Sequence, residues 1–260
     1  LLVRYHVVTT MNENGWEQTG RLMAKSFQRN WPEEAGRLIV YAEGFTPDLP
    51  GLDVRVRPPW IDEFKAKHGG VPAYNGMRPN GYDYRFDGVK FCHKIGAVTD
   101  CGLGLDDGVM IWLDADTYTH APIDVPWLMG LFPEPSYLAW LDRINAHPEC
   151  GFVMYRCGHR YHKPFMESLR NLYTSGDIFK LREHHDCLAL QNVVITKASS
   201  GKIEPPVSLS GDRTWHHPFV NGPLGSRLDH LKGERKKEGR SRDRDFRKRR
   251  NEPYWQGKKP

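Results

Sequence analysis

Residues 109–116 read Val-Met-Ile-Trp-Leu-Asp-Ala-Asp, an apolar run that ends in two carboxylates. The five apolar residues favour a buried β-strand with the acids at its carboxyl end. Residues at i and i+2 of an extended chain point the same way, so Asp114 and Asp116 can converge on one cation such as Mg²⁺ or Mn²⁺. Ligands of open α/β sheets bind at this end of the strands. Acids here also commonly cap a turn, so both interpretations stand.

Alternating strand and helix patterns surround this run in the first half of the chain. Residues 69–85, rich in Gly, Pro, Asn and Tyr, are predicted to form a surface loop. The β-α-β-β-α-β order is typical of an α/β fold with a mainly parallel central sheet and flanking helices. The predicted strands are 3–9, 38–41 and 53–57, and the predicted helices are 16–29 and 86–99.

The second half of the chain mixes shorter elements. Strands are predicted at 137–141, 151–155 and 193–196, a helix near Pro164 and another at 183–191. From Gly201 onward, Pro, Gly and charged residues dominate. Residues 240–250 are of such low complexity that we expect them to be disordered when nothing is bound.

The composition predicts one compact domain that does not span a membrane. The chain has 260 residues, of which 39% are hydrophobic, and none of its apolar runs approaches the ~20 residues that a membrane-spanning helix needs. The first residues do not resemble a signal peptide, and five cysteines without framework spacing indicate reduced thiols in a cytoplasmic protein. Cys150, Cys157, His159 and His162 are zinc-type ligands, but their spacing favours core thiols and surface histidines.

Positive charge is concentrated at the carboxyl-terminal end. Residues 230–260 contain 13 Lys and Arg against 5 Asp and Glu, a net charge of +8, whereas the whole chain carries +5. The rest of the chain is therefore mildly acidic. A basic segment of this kind suggests an anionic partner, either nucleic acid or anionic lipid headgroups, although it can also be a solvated tail.

A second motif late in the chain is His230-Leu231-Lys232-Gly233-Glu234-Arg235-Lys236. Its His-x-x-Gly-x-x-Lys spacing, after the earlier Asp-x-Asp, resembles the signature of retaining GT-A glycosyltransferases of the glycogenin and lipopolysaccharide galactosyltransferase type. The resemblance implies a GT-A (Rossmann-like) fold in which Asp114, Asp116 and His230 bind Mn²⁺ or Mg²⁺. It also implies that Lys236 contacts the diphosphate of a nucleotide sugar, with Asp114 facing the same donor. Gly233 would allow the backbone to approach the diphosphate closely. A UDP-sugar is the donor that the resemblance implies.

Other residues are candidates for the same donor site. In similar enzymes the end of the first strand receives the nucleotide, which implicates Thr9, Thr10 and Asn12. The helix before the acidic strand often carries a basic residue that faces the nucleotide, and Lys90 and Lys94 lie one turn apart on it. Ordinary turn residues and solvated lysines are the alternatives. One departure from the family follows the second motif, where Lys-Glu replaces the usual Pro-Trp.

The acceptor side is predicted near residues 183–191, where the family carries an Asp-Gln-Asp-like segment. Asp186 matches its second acid and is the candidate catalytic residue, because a retaining transfer needs a group below the anomeric carbon. A capping or salt-bridging role is the alternative. His184 and His185 replace the preceding Asp and Gln. Residues 215–218, Trp-His-His-Pro, are further candidates for an acceptor pocket.

These features favour a metal-dependent glycosyltransferase that moves a sugar from a nucleoside-diphosphate sugar to a hydroxyl acceptor. The acceptor could be a hydroxymethylated base in DNA, which would suit a phage enzyme in its host's cytoplasm, or a bacterial surface glycan. Residues 1–229 would form the catalytic domain, with a nucleotide-binding half at 1–120 and an acceptor half at 121–229. The basic residues 230–260 would close the donor site.

Two other classes of function stay open. A sugar nucleotidyltransferase would share the sheet and the acids, but residues 9–15 lack the Gly-rich phosphate loop expected after its first strand. The class of non-catalytic nucleic-acid-binding proteins would account only for the basic segment.

Overall fold

A computed structural model describes residues 3–214 and 217–257 of the chain. Trp215 and His216, two of the acceptor-pocket candidates, lie outside the described residues. The strands, numbered in chain order, are β1 (Tyr5–Met11), β2 (Ile39–Ala42), β3 (Asp53–Val56), β4 (Asn75–Arg78), β5 (Gly81–Asp87), β6 (Val109–Leu113), β7 (Thr117–Thr119), β8 (Leu138–Leu141), β9 (Glu149–Arg156), β10 (Val207–Ser208) and β11 (Leu228–His230).

Helices connect most of these strands. They are α1 (Glu13–Gly15), α2 (Arg21–Asn30), α3 (Trp60–His68), α4 (Gly88–Leu103), α5 (Val125–Leu131), α6 (His162–Thr174), α7 (Asp186–Ser199), α8 (Pro218–Asn221), α9 (Arg235–Glu238) and α10 (Pro253–Gln256). A π-helical segment, Trp16–Gly20, joins α1 to α2, and 3-10 turns occur at Glu33–Ala35, Pro72–Tyr74, Asp177–Lys180, Pro223–Ser226 and Asp243–Asp245. Within the described residues, no helix is long and apolar enough to cross a membrane.

A seven-stranded sheet with the order β10-β8-β9-β6-β1-β2-β3 forms the centre of the molecule. Strand β1 is parallel to β2 and β6, β2 is parallel to β3, and β8 is parallel to β10. Strand β9 runs in the opposite direction, with antiparallel pairing to β6 and β8. The α/β class with a mainly parallel sheet and flanking helices, predicted from the sequence, is therefore confirmed.

Strand β6 spans the five apolar residues predicted for it, and all of them are buried. Met110 and Trp112 pack on the face covered by α4, α6 and α7, whereas Val109, Ile111 and Leu113 pack on the face covered by α2. Burial on both faces explains why this strand is apolar throughout. Each such side chain stabilises the fold by roughly 1.5–3 kcal/mol. The acidic residues that follow are thus attached to a firmly packed strand.

The prediction of a surface loop at 69–85 is wrong, because most of that segment forms the antiparallel hairpin of β4 and β5. Tyr82, Tyr84 and Phe86 alternate along β5, and aromatic residues at every second position favour a strand. Gly81 at the turn has a φ of 105°, a conformation that favours glycine. The Gly-rich composition therefore belongs to the turn and not to the whole segment.

The prediction of a strand at 193–196 is also wrong, because those residues belong to the single long helix α7. Val193 and Val194 are buried in the core on the α4 side of the sheet. The strand preference of β-branched residues is weak and depends on context, so burial within a helical layer overrides it here.

The residues considered for zinc do not converge. Within the described residues, no group of potential metal ligands contains Cys157, His159 or His162. All five cysteines are free thiols, and Cys150 and Cys157 are buried in the core, as the spacing favours. The expectation of surface histidines fails for His162, which is buried with Nε2 2.8 Å from the carbonyl oxygen of Gly102.

The basic carboxyl-terminal segment folds back onto the molecule. Strand β11 pairs antiparallel with β7, which places His230 beside the residues that follow the acidic pair. The buried carboxylate of Asp229 accepts hydrogen bonds from the backbone N–H of Ser241 at 2.8 Å and from the hydroxyl of Tyr254 at 3.0 Å. The disorder expected for residues 240–250 is therefore not observed, because a buried acid anchors the segment.

Candidate functional site

Two carboxylates and one imidazole converge at the carboxyl end of β6. Nε2 of His230 lies 3.0 Å from Oδ1 of Asp116 and 3.6 Å from Oδ2 of Asp114. The potential ligand atoms of the three residues all lie within 4.8 Å of one another. The three residues that the sequence predicts as metal ligands are thus brought together at one point.

Backbone contacts fix the position of each of these side chains. The N–H of Asp114 donates to the carbonyl of Gly151 at 2.9 Å, and the N–H of Leu231 donates to the carbonyl of Asp116 at 2.7 Å. The ring of His230 packs against Gly151, where a Cβ atom would lie only 2.7 Å from Cε1 of the imidazole. A glycine in β9 is therefore a condition for the observed position of the histidine.

Two lysines occupy the outer oxygens of the acidic pair. Nζ of Lys94 lies 2.8 Å from Oδ1 of Asp114, and Nζ of Lys236 lies 3.1 Å from Oδ2 of Asp116. The other two oxygens are those that face His230. The arrangement separates an inner set of three ligand atoms from two outer ammonium groups. Two carboxylates and one imidazole fit a divalent cation such as Mn²⁺.

Burial and charge act in opposite directions on the pKa values of this cluster. Burial would raise the pKa of Asp116, but the charges of His230 and Lys236 outweigh it and hold this pKa well below its ordinary value. Burial would lower the pKa of His230, but Asp116 and Glu149 raise it above its ordinary value. The carboxylate of Asp116 is therefore ionised, as a cation ligand must be.

A buried glutamate that sequence reasoning missed lies behind His230. Oε1 of Glu149 is 3.6 Å from Nδ1 of His230, and its Oε2 is 3.4 Å from Nζ of Lys232. Burial would raise the pKa of Glu149, but the charges of Lys232 and His230 lower it to about 2. A carboxylate behind a ligating imidazole orients the ring and strengthens it as a ligand. Nothing around residue 149 in the sequence signals this role, because its partners come from β11 and the turn after it.

Lys94 connects the acidic pair to the predicted acceptor side. Its Nζ also lies 2.7 Å from Oδ2 of Asp186 and donates to the carbonyl of Cys150 at 2.7 Å. Burial would raise the pKa of Asp186, but Lys94 outweighs burial and lowers it. The structure therefore brings Lys94 and Asp186 to the metal-ligand candidates. Lys90, one turn earlier in α4, has an exposed side chain and takes no part in the ion pairs described here.

The three polar residues at the end of β1 lie at the same edge of the sheet as the acidic pair, because β1 and β6 are parallel neighbours. The hydroxyl of Thr10 donates to the carbonyl of Tyr41 at 2.7 Å, and the side chain of Asn12 caps α1 by accepting from the N–H of Gly15 at 2.8 Å. Thr9 is fully buried, and its hydroxyl has no partner within the described residues. The turn interpretation accounts for Asn12, and a nucleotide contact by any of the three stays a prediction.

Gly233 lies in the turn between His230 and Lys236. Its φ of 64° is in the left-handed region, and a Cβ atom there would meet nothing within 4 Å. The glycine is therefore favoured by its backbone conformation, and the space beside it is open. Open space next to the backbone is what the predicted approach of a diphosphate requires.

Neither a protein-family model nor a curated protein matches the sequence. Mouse xyloside xylosyltransferase 1 in its apo form aligns with 78% of this chain and 85% of its own, at 12% identity and a TM-score of 0.48. A glycosyltransferase involved in the glycosylation of the major capsid of PBCV-1 aligns over 90% and 99%, at 9% identity and a TM-score of 0.45. The galactosyltransferase LgtC with donor and acceptor sugar analogues aligns over 72% and 69%, at 13% identity and a TM-score of 0.41. At these values no function passes to this chain, so its function has to be inferred from the site.

Proposed function

We propose that this protein is a metal-dependent glycosyltransferase that transfers a sugar from a nucleoside-diphosphate sugar to a hydroxyl acceptor. The observation that carries the proposal is the inner set of ligand atoms at Asp114, Asp116 and His230, flanked by the ammonium groups of Lys94 and Lys236. A diphosphate is a ligand for both kinds of group, since it binds divalent cations and accepts charge-assisted hydrogen bonds. In a sugar nucleotide the diphosphate is also the leaving group.

Mn²⁺, with Mg²⁺ as the second candidate, would be held by Asp114, Asp116 and His230. When bound, the ion would neutralise charge on the departing diphosphate. Lys236 would release Asp116 and pair with a phosphate, which its 35% exposed side chain allows. Gly233 would let the backbone come close to the same phosphates. Because these contacts strengthen as the leaving group gains charge, they would favour the transition state over the bound donor.

The proposed division of the chain follows from these roles. The nucleoside would bind in the half formed by residues 1–120, near Thr9, Thr10 and Asn12, with Lys90 available at the surface of α4. The acceptor would bind in residues 121–229. The basic residues 230–260 would close the donor site, a role supported by the pairing of β11 with β7. A UDP-sugar is the donor expected from the family resemblance.

Asp186 is proposed as the group that faces the anomeric carbon. It is buried at the start of α7, and Lys94 joins it to Asp114. Its lowered pKa keeps it ionised at neutral pH, and an ionised carboxylate can either attack the anomeric carbon or steady positive charge that develops there. Transfer with retention of configuration is therefore the proposed stereochemical course.

The acceptor is proposed to be a carbohydrate hydroxyl, with hydroxymethylated DNA as the second candidate. Many basic side chains of the carboxyl-terminal segment lie in ion pairs, which lowers the charge available to nucleic acid. Within the described residues the pairs are Lys232–Glu149, Arg235–Asp245, Lys236–Asp116, Lys237–Glu234, Arg242–Glu238, Arg247–Asp212 and Arg250–Glu252. Substituting Lys248 and Arg249 by Glu reverses charge without breaking these pairs. It should weaken DNA binding and reduce its salt dependence if DNA is the acceptor, and leave glycan transfer unchanged otherwise.

The proposed activity is tested by incubating the protein with Mn²⁺ and a panel of sugar nucleotides. We expect release of a nucleoside diphosphate that stops when the metal is chelated, and a mass increase of one sugar on a glycan or hydroxymethylated DNA acceptor. Release of pyrophosphate from a nucleoside triphosphate and a sugar phosphate would instead identify a nucleotidyltransferase. Absence of turnover with every donor, in a protein that still binds nucleic acid, would leave the non-catalytic alternative.

A further inference from the structure

Beside the predicted acceptor side, a second group of potential metal ligands consists of His147, Glu183 and His185. Nε2 of His147 lies 3.3 Å from Oε2 of Glu183, and Nε2 of His185 lies 2.7 Å from the same oxygen. The ligand atoms of the three residues all lie within 4.8 Å of one another. We propose that these residues form a second metal site that binds a zinc-class cation, a site that does not depend on the function proposed above.

Local geometry explains why the three side chains meet. The backbone of His185 is extended immediately before α7, with φ of −92° and ψ of 164°. Side chains at i and i+2 of an extended segment point the same way, which directs Glu183 and His185 to one side. His147 comes from the connection between β8 and β9, far away in the sequence. The side chains are only 13%, 18% and 6% exposed for His147, Glu183 and His185, so water screens the group poorly.

The inner Nε2 atoms of both histidines face the carboxylate of Glu183, where a cation would bind. Nδ1 of His147 lies 2.6 Å from Oε1 of Gln191, and its Nε2 faces Glu183. In the tautomer that donates from Nδ1 to this oxygen, Nε2 can bind a cation. Nδ1 of His185 faces the carboxylate of Asp186 at 4.0 Å. The contact of His147 with Gln191 is therefore the kind of outer hydrogen bond that usually orients a ligating histidine, and the distance from His185 to Asp186 is that of a longer charge contact.

Two cationic side chains also approach this group. One guanidinium nitrogen of Arg182 lies 3.2 Å from Nε2 of His147, and one of Arg85 lies 3.9 Å from Oε1 of Glu183. Arg182 and Arg85 are exposed, so each can turn into solvent at little cost. Two imidazoles and a carboxylate supply the three protein ligands of an open zinc site, whose fourth position takes water or a substrate oxygen.

A neighbouring group, formed by Cys150, Asp186 and Cys187, is a poorer candidate although its ligand atoms are equally close. Nζ of Lys94 is already 2.7 Å from Oδ2 of Asp186 and hydrogen-bonded to the carbonyl of Cys150. This group has a single carboxylate, and the buried ammonium already compensates its charge, which opposes the entry of a cation. In the first cluster the two ammonium groups contact only the outer oxygens, so the oxygens that face His230 stay available.

Zinc at the proposed site would join two segments that carry the acceptor side. His147 belongs to the connection before β9, and His185 directly precedes Asp186 at the start of α7. A metal bond between them would hold Asp186 in position relative to Lys94. The site would therefore act on the acceptor side by positioning, and its own occupancy can be measured without any assay of transfer.

The test is zinc binding by the 260-residue chain that carries Asp116→Asn, which removes a proposed ligand of the first cluster. Equilibrium dialysis against ZnCl₂ with elemental analysis should give one zinc per chain. Glu183→Gln or His147→Gln, added to that background, should weaken zinc binding by more than the 10- to 100-fold typical of outer contacts. His159→Gln is the matched control, since His159 also lies beside a glutamate, Glu204 at 3.6 Å, but belongs to no group of three potential ligands among the described residues.

Cobalt absorption and thermal unfolding keep the result unambiguous. Co²⁺ in the Asp116→Asn protein should show visible d–d bands without a strong thiolate charge-transfer band, and zinc should raise the Tm of that protein but not of the Glu183→Gln variant. A thiolate charge-transfer band would show that the ion binds at Cys150 and Cys187, and it would overturn the proposal. Zinc binding that is absent, or that survives both substitutions, would overturn it equally.

Discussion

The two histidine–carboxylate clusters differ in their ratio of carboxylate to imidazole and in the cations beside them. The first has two carboxylates, one imidazole and two contacting ammonium groups, from Lys94 and Lys236. The second has one carboxylate and two imidazoles, with exposed guanidinium groups at its border. Oxygen-rich ligands suit Mg²⁺ and Mn²⁺, whereas nitrogen-rich ligands suit zinc. Under the proposed function, the ammonium groups would suit only the first cluster to a metal together with a diphosphate.

The largest effect is expected from Asp116→Asn, which removes a charged ligand from the first cluster alone. Mn²⁺-dependent donor turnover should fall by about 10³-fold or more, as expected when a metal ion and its charge stabilisation are lost. Asp106→Asn changes an aspartate whose side chain is 93% exposed and serves as the control. Circular dichroism should show that both variants are folded. Turnover that survives in Asp116→Asn would remove the first cluster from the reaction.

Gly151→Ala tests whether the position of His230 distinguishes the first cluster. The added Cβ would lie 2.7 Å from Cε1 of the imidazole, so the ring has to move. We expect Mn²⁺ affinity, measured by electron paramagnetic resonance, to fall about 10- to 100-fold. Overpacking should also lower the free energy of unfolding by about 1–3 kcal/mol. Gly130→Ala, where the new Cβ meets nothing within 4 Å, is the control. Equal metal binding in the two variants would contradict the account.

Lys236→Ala tests whether an ammonium group beside the acidic pair binds the donor. Loss of one phosphate contact should raise the Kd of the nucleotide sugar about tenfold, with little effect on the free energy of unfolding. Lys237→Ala is a close control, because Lys237 pairs with Glu234 and its side chain is 78% exposed. If titration calorimetry gives the same Kd for both variants, Lys236 does not contact the diphosphate.

The smallest expected effect is a difference in pH dependence between His230 of the site and His162 of the core. Burial lowers the pKa of His162 to about 4, whereas the pKa of His230 is raised. A folded-state pKa below the unfolded value means that stability is complete above about pH 6.5 and is lost as pH falls toward 4. From pH 7 to 5.5 the loss should be about 1 kcal/mol for His162. Urea unfolding of His162→Gln should show a correspondingly weaker pH dependence, and an unchanged dependence would contradict this assignment.

Local patterns predicted the parts of the fold that local residues determine. Strand β6 was predicted at its observed bounds, since five buried apolar residues and two acids leave little choice. The hairpin of β4 and β5 was missed because turn-type residues hid the alternation of its aromatic side chains. The long helix α7 was split because Val193 and Val194 resemble a strand until the layer that buries them is known.

The candidate site shows the same limit. The resemblance at residues 230–236 predicted His230 beside the acidic pair and Lys236 at the donor diphosphate. Both residues contact Asp116 in the structure, and the diphosphate contact of Lys236 stays a prediction. The link from Asp114 through Lys94 to Asp186 could not be predicted, because it joins three elements that only the folded chain brings together. Glu149 behind the histidine was missed for the same reason.

The account depends most on one cation bound by Asp114, Asp116 and His230. The direct measurement is an anomalous difference map from crystals soaked with MnCl₂ and UDP. We predict one manganese peak within bonding distance of both carboxylates and of Nε2 of His230, next to the diphosphate, and no such peak in Asp116→Asn. Crystals in which UDP binds but His230 points away, with no manganese between the carboxylates, would contradict the account.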